Sequence, residues 1–207
     1  MARNFPIYRA SGYYSVAAQT GAIAAGASAD SEVLQFRWSS TTYLALITEI
    51  LLTGMRATTA FAAGAIDIKA SVARDWTANG TGGTALEFGG DSQIDNAVLR
   101  TAFADSAVGN FRVSTTAALG AGTKVLETND IGQVTTHSSG GVSAATPIIG
   151  SIYLPTTTLF QADIQNGGYP LVLAANEGFV IRATVPITGV WNLGMLVKWA
   201  EVDKTEF

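Results

Sequence analysis

The chain carries one histidine and no cysteine, so few residue types are available for covalent or metal chemistry. His137 stands in "TTHSSGG", a polar stretch that reads as a solvated loop. One imidazole with no thiolate does not make a transition-metal site. The absence of cysteine removes a disulfide framework, a Cys-ligated zinc and a Cys nucleophile. A Ser-His-Asp triad needs its serine on a strained turn such as G-x-S-x-G, which the sequence lacks. Two carboxylates roughly 5–10 Å apart can cleave a glycosidic bond. Glu49 and Asp67, on neighbouring strand-like runs, are the candidate pair, although acids of this kind are more often simple surface or hydrogen-bonded groups.

The remaining motifs are weaker. "NGTGGT" (79–84) has the glycines of a phosphate loop but neither the following Lys-Ser/Thr nor the G-x-G-x-x-G spacing, and it reads as a flexible loop. "DSQID" (91–95) lacks the glycine and closing glutamate of an EF-hand loop. Asn79-Gly80-Thr81 matches a glycosylation sequon, but no apolar secretory leader precedes it. These residues supply no catalytic group, no cofactor site and no metal site, and the expectation is a protein that is not an enzyme.

The bulk composition narrows the partners. Of 207 residues, 48% are apolar and 14% are charged, against about 25% charged in ordinary soluble domains. Much of the surface must therefore be neutral, or buried against another chain. The net charge of −4, a pI near 4.9 and the lack of any Lys/Arg run argue against nucleic acid, which demands a basic face. No membrane is expected either. The most hydrophobic run, 43–55, is interrupted by Glu49 and Gly54 before it reaches the roughly 18 apolar residues a span needs.

Period-two alternation dictates the elements that must hold these residues. In "EVLQFRWSS", Leu34, Phe36 and Trp38 share a face. In "AIDIKASV", Ile66, Ile68, Ala70 and Val72 alternate with polar residues. "TTYLALITEILLTGMRAT" is too uniformly apolar for simple alternation and reads as a long strand, covered on both faces or bent partway. "SQIDNAVLRTAF" (92–103) is a helix candidate, with Ser92 placed to cap it. Shorter strands are expected in "NFRVSTTAAL", "TKVLET", "IIGSIYLP" and "TLFQADI". "THSSGGVSAATP" is expected to be a loop. At the end of the chain, Phe179, Ile181, Ala183 and Val185 share one face, as do Trp191, Leu193, Met195, Val197 and Trp199. "PITG" between the two runs predicts a β-hairpin.

Together these predict an all-β fold: an antiparallel β-sandwich of jelly-roll type, with an extended N-terminal arm (1–18), a single sandwich domain (19–207) and at most one short helix. Arg3, Phe5, Tyr8, Arg9, Tyr13 and Tyr14 crowd aromatic and guanidinium groups into the first residues, types that are enriched at interfaces. The stretch reads either as a first strand covering its own core or as an arm laid across a neighbouring subunit, with base stacking a third possibility. Those six residues and Phe207 are the candidate interface.

Three stretches, "GAIAAGASADSEVLQFRWSS", "LVLAANEGFVIRATV" and "LVKWAEVD", resemble segments of virion proteins of tailed bacteriophages. The resemblance covers the two ends of the chain; 57–145 matches only in its Gly, Thr and Ala loops. It implies a particle component of the capsid decoration (cement) or head accessory type, made in the host cytoplasm and sited on the capsid surface of the virion. The implied partners are the major capsid protein and further copies of itself, as a homotrimer. It implies a structural role for the Asn176-Glu177-Gly178 turn, with Gly178 supplying a positive φ. A head-fibre or tail-associated module recognising host glycans through the 77–91 and 137–146 loops is the alternative.

Overall fold

The computed structural model describes residues 10–24, 27, 29–86, 88, 97–98, 106–140, 152–163 and 168–206. Thirteen strands are found among them. The first seven are β1 (Gly12–Gln19), β2 (Ser31–Trp38), β3 (Tyr43–Thr59), β4 (Ala63–Ala78), β5 (Thr84–Leu86), β6 (Ala97–Val98) and β7 (Val108–Val113). The rest are β8 (Thr123–Ser139), β9 (Ile152–Leu154), β10 (Thr157–Gln161), β11 (Leu171–Leu173), β12 (Glu177–Thr184) and β13 (Val190–Asp203). All pair antiparallel in two sheets. The first sheet runs β10-β3-β13-β1-β6, with β9 and β11 also on β3; the second runs β5-β7-β2-β12-β4-β8. The chain is thus nearly all β and has the form of a β-sandwich.

The core lies between the sheets and follows the alternation in the sequence. β13 turns Trp191, Leu193, Met195, Val197 and Trp199 inward, all buried. Facing them from the second sheet are Leu34, Phe36, Trp38, Phe111, Phe179 and Ile181. Aromatic rings tie the layers together. Phe36 stacks on Phe179 with centroids 5.1 Å apart and meets Trp199 edge-on at 5.5 Å. Trp199 in turn stacks on Tyr14 of β1 at 5.6 Å. Offset and edge-on pairs of this kind add to the area term because ring edges are positive and faces negative.

β3 resolves the run that defied simple alternation. Its 17 residues pair with the 14 of β13, and the register slips past Thr58, Thr53 and Thr48. Each slip is a β-bulge whose extra residue is a threonine, spaced five apart. The inward residues of β3 are accordingly Ala45 and Ile47, then Ile50 and Leu52, then Met55 and Ala57, all buried. Alternation holds between bulges and is reset at each one. Thr48 and Thr58 each donate a side-chain hydrogen bond across the pair, to the Lys198 and Val190 carbonyls at 3.2 Å. Bulges increase twist, and three of them coil β3 so that β9, β10 and β11 can pair in succession along its other edge.

Several expectations are corrected. β12 and β13 do not form a hairpin: β12 lies between β2 and β4, β13 lies between β3 and β1, and the Pro186–Gly189 segment crosses from sheet to sheet. Two strands burying one face in the same core show the same alternation whether they pair or oppose each other. The helix expected at 92–103 is replaced at Ala97–Val98 by a short strand on β1, and the rest of it lies outside the described residues. His137 is not in a loop, because β8 continues to Ser139 and pairs His137 with Ala65. Of the 1–18 arm, residues 12–18 are strand β1, paired along its length with β13. Asn176, not Gly178, takes the positive φ of the turn, 65°. Gly178 is required for space: a Cβ there would strike the Phe36 carbonyl and the Trp76 ring.

Replacing Trp199 by Ala should cost about 3–5 kcal/mol in urea unfolding. Leu196→Ala, on the outward face of the same strand, should cost much less. Equal losses would contradict the assignment of faces.

Candidate interaction surface

The outer face of the first sheet carries a second apolar cluster, separate from the main core. Leu44 and Leu46 of β3 and Ala200 and Val202 of β13 are buried there, with Ala10, Tyr13, Val172 and Ala174 packed against them. Outward positions of a sandwich normally face water and are polar. Here the outward positions at the end of the β3–β13 ladder are apolar as well. The chain enters the sheet at this point. Ser11 donates its backbone N–H to the Glu201 carbonyl at 2.8 Å, and Gly12 pairs with Glu201.

Of the seven predicted interface residues, the structure places two. Tyr13 is half-buried on this outer cluster, while Tyr14 points inward, buried in the core against Trp199. Tyr14 is therefore removed from the candidate interface, since adjacent residues of a strand take opposite faces. Arg3, Phe5, Tyr8, Arg9 and Phe207 lie outside the described residues.

The chemical candidates do not come together. Glu49 lies outward on the first sheet, paired with Lys198 at 2.6 Å. Asp67 lies outward on the second and accepts from Thr135 at 2.6 Å. The two carboxylates are on opposite outer faces of the sandwich and share no cleft. Two of the glycines of 79–84 are closely approached by neighbours, Gly80 by Gln35 and Gly83 by the Val113 carbonyl, and Thr81 bridges to Gly120. Asn79 of the sequon accepts from Arg37 at 2.7 Å. "DSQID" lies outside the described residues. Among the described residues no group of three or more His, Asp and Glu is placed to hold a metal, and no helix is long and apolar enough to cross a membrane.

Sequence reasoning missed three charged clusters. Glu201 shares the inward parity of Trp199, so its carboxylate is carried into the sandwich. There it accepts from Ser106 Oγ at 2.6 Å, the Ala107 N–H at 3.0 Å and Trp199 Nε1 at 3.2 Å. Burial pushes its carboxyl above the usual range, and the three hydrogen bonds only partly offset this.

On the outer face of the second sheet, Lys124 and Glu32 pair at 2.9 Å with side chains 2% and 9% exposed. Gln35 donates to Glu32 at 2.5 Å, and the Lys124 ammonium lies 4.6 Å from the Trp76 ring centre. Glu32 and Gln35 share a face only because Val33 is the extra residue of a bulge against β12. On the same face Arg182 holds Asp130 at 2.8 Å and Ser71 at 2.9 Å. Burial works to raise the Asp130 carboxyl. The hydrogen bonds from Ser71 and Arg182 and the guanidinium charge outweigh it, leaving the group below the ordinary value.

Comparisons with protein-family models, with curated proteins and with solved structures find no match to this chain. What the fold defines is a class: an antiparallel sandwich with an apolar outer cluster at the point where the N-terminal segment joins.

Two predictions follow from the buried charges. A raised carboxyl favours the protonated folded state, so its stabilising contribution is present below the unfolded value of about 4.3 and is lost as pH rises through the folded one. The stability of the wild type relative to Glu201→Gln should therefore fall between acid and neutral pH in denaturant titrations; a gap independent of pH would refute this. Lys124→Met should lower stability by about 3–5 kcal/mol because it strands the Glu32 carboxylate, and Lys124→Met/Glu32→Leu should recover much of that loss.

Proposed function

We propose that this protein is a non-enzymatic structural component of a tailed-phage virion, which binds the outer capsid surface and clamps neighbouring capsid subunits together. The observation that carries the reading is the apolar cluster of Leu44, Leu46, Ala200 and Val202 on the outer face of the first sheet, with Ala10 and Tyr13 upon it. Ala10 and Tyr13 bring the start of the described chain onto a sheet face that is apolar, which supports an interface role for it. The low charge content supports the same reading, because charged residues are depleted at interface cores. The connectivity fits a jelly-roll type of sandwich, in that the first long strand, β1, and the last, β13, are neighbours in one sheet.

The mechanism is additional buried area per capsid subunit. An interface of about 1,600 Å² in total suffices for specific binding, and a homotrimer multiplies modest contacts through effective concentration. The partners are the major capsid protein and two further copies of this chain.

The test is co-sedimentation with assembled shells and with free capsid protein, followed by heating of decorated and bare shells. Binding to shells alone, with raised heat resistance, is expected. Tyr13→Ala should weaken shell binding by about 1–2 kcal/mol, measured where urea unfolding shows the variant, which also loses a half-buried contact, to be fully folded. An absence of binding, with shells no more heat-resistant than before, would overturn the reading.

A further inference from the structure

The middle of the β3–β13 ladder is missing side chains where a sheet ordinarily has them. Gly54 and Gly194 face each other across the pair, and Gln19 of β1 is the next residue in the same row. A glycine in a strand interior weakens it, and it commonly marks a place where another molecule approaches the backbone. Here two of them, side by side in central strands, floor an open trough of about 480 Å3 on the outer face of the first sheet. The bulge at Thr53 sits against this floor, with its hydroxyl where a Cβ on Gly194 would lie. Bulges next to sites re-aim side chains.

The walls are polar, and part of their hydrogen-bonding capacity is unused. Gln19, Thr53, Arg56, Thr58 and Asn192 line the trough. Arg56 is exposed and has no hydrogen bond or ion pair with any described residue, nor does the Gln19 amide. Asn192 uses an amide N–H on the Thr20 carbonyl at 3.1 Å, which holds its side chain in place. Further along the same face Lys198 is neutralised by Glu49, so among the described residues Arg56 supplies the positive charge of the trough.

We propose that this trough binds a carboxylate-bearing saccharide unit, such as a uronic or sialic acid. The Arg56 guanidinium presents a planar fork of donors that matches a carboxylate. The Gln19 and Asn192 amides and the Thr53 hydroxyl supply donors and acceptors for sugar hydroxyls. Gly54 lets the ring approach the backbone, with the Thr53 hydroxyl beside it over Gly194, and the volume falls within the range of small-molecule sites. This inference is independent of the capsid reading, since it draws on the middle of the ladder and on none of the residues of the apolar cluster.

The test is titration of the full chain with glucuronate, N-acetylneuraminate, glucose and acetate, followed by amide chemical shifts and calorimetry. At least one of the two acidic sugars should bind saturably, shifting the amides of Gly54, Asn192 and Gly194, and more tightly than either glucose or acetate. Arg56→Gln, at an exposed position, should weaken that binding about tenfold or more with the amide spectrum otherwise unchanged. Asn192→Ala should weaken acidic sugar and glucose alike. No saturable response to either acidic sugar overturns the proposal. So does indifference to Arg56→Gln, and so does acetate binding as tightly as the sugars, which would mark a bare carboxylate spot.

Discussion

The pairing of β13 with β3 is the interaction on which the rest of the structure depends. It is the longest ladder of the first sheet, from Val190 opposite Thr59 to Asp203 opposite Tyr43. Through its inward face, β13 lays two tryptophans and three aliphatic side chains against the second sheet. Through its other edge it carries β1. Through β3 it carries β9, β10 and β11. Each of these neighbours has little else to pair with, so the cost of ordering them is met by one central strand pair and the apolar area it closes.

The three threonine bulges explain how one ladder serves so many neighbours. A regular two-stranded ladder of this length twists steadily, but it cannot offer three separate short strands a straight edge in turn. Resetting the register every five residues of β3 keeps its apolar residues inward while the strand coils. The same resets give the outward face two characters. At one end Leu44, Leu46, Ala200 and Val202 make it apolar; in the middle Gly54 and Gly194 leave it open and polar-walled.

How much of this can be read from the residues depends on the range of the cause. The alternation of β2, β4 and β13 is a local property, and its inward faces are legible in Leu34–Phe36–Trp38 and Trp191–Trp199. The run 43–59 is legible once Thr48, Thr53 and Thr58 are counted as pauses, because 45, 47, 50, 52, 55 and 57 then fall into phase. Glu201 is legible by parity from Trp199. The sheet to which a strand belongs is not local, which is why β12 and β13 look like a hairpin and are not one. Lys124 meets Glu32 across 92 residues, and the trough needs β1, β13 and β3 in lateral register. Neither pattern exists along the chain. Asn176 takes the positive φ expected of Gly178, and the need for glycine at 178 is likewise non-local: it comes from the Phe36 carbonyl and the Trp76 ring, both far away along the chain.

The β3–β13 ladder thus holds the structure together, and the proposed interaction surface lies on the outer face of the first sheet. Amide hydrogen exchange of the free and shell-bound protein tests this most directly. The account predicts the slowest exchange in the free protein along β13, with protection on shell binding gained around residues 10–14 and 171–174, beside the apolar cluster. Protection gained only on the second sheet, or β13 amides that exchange as fast as those of the short edge strands, would contradict it.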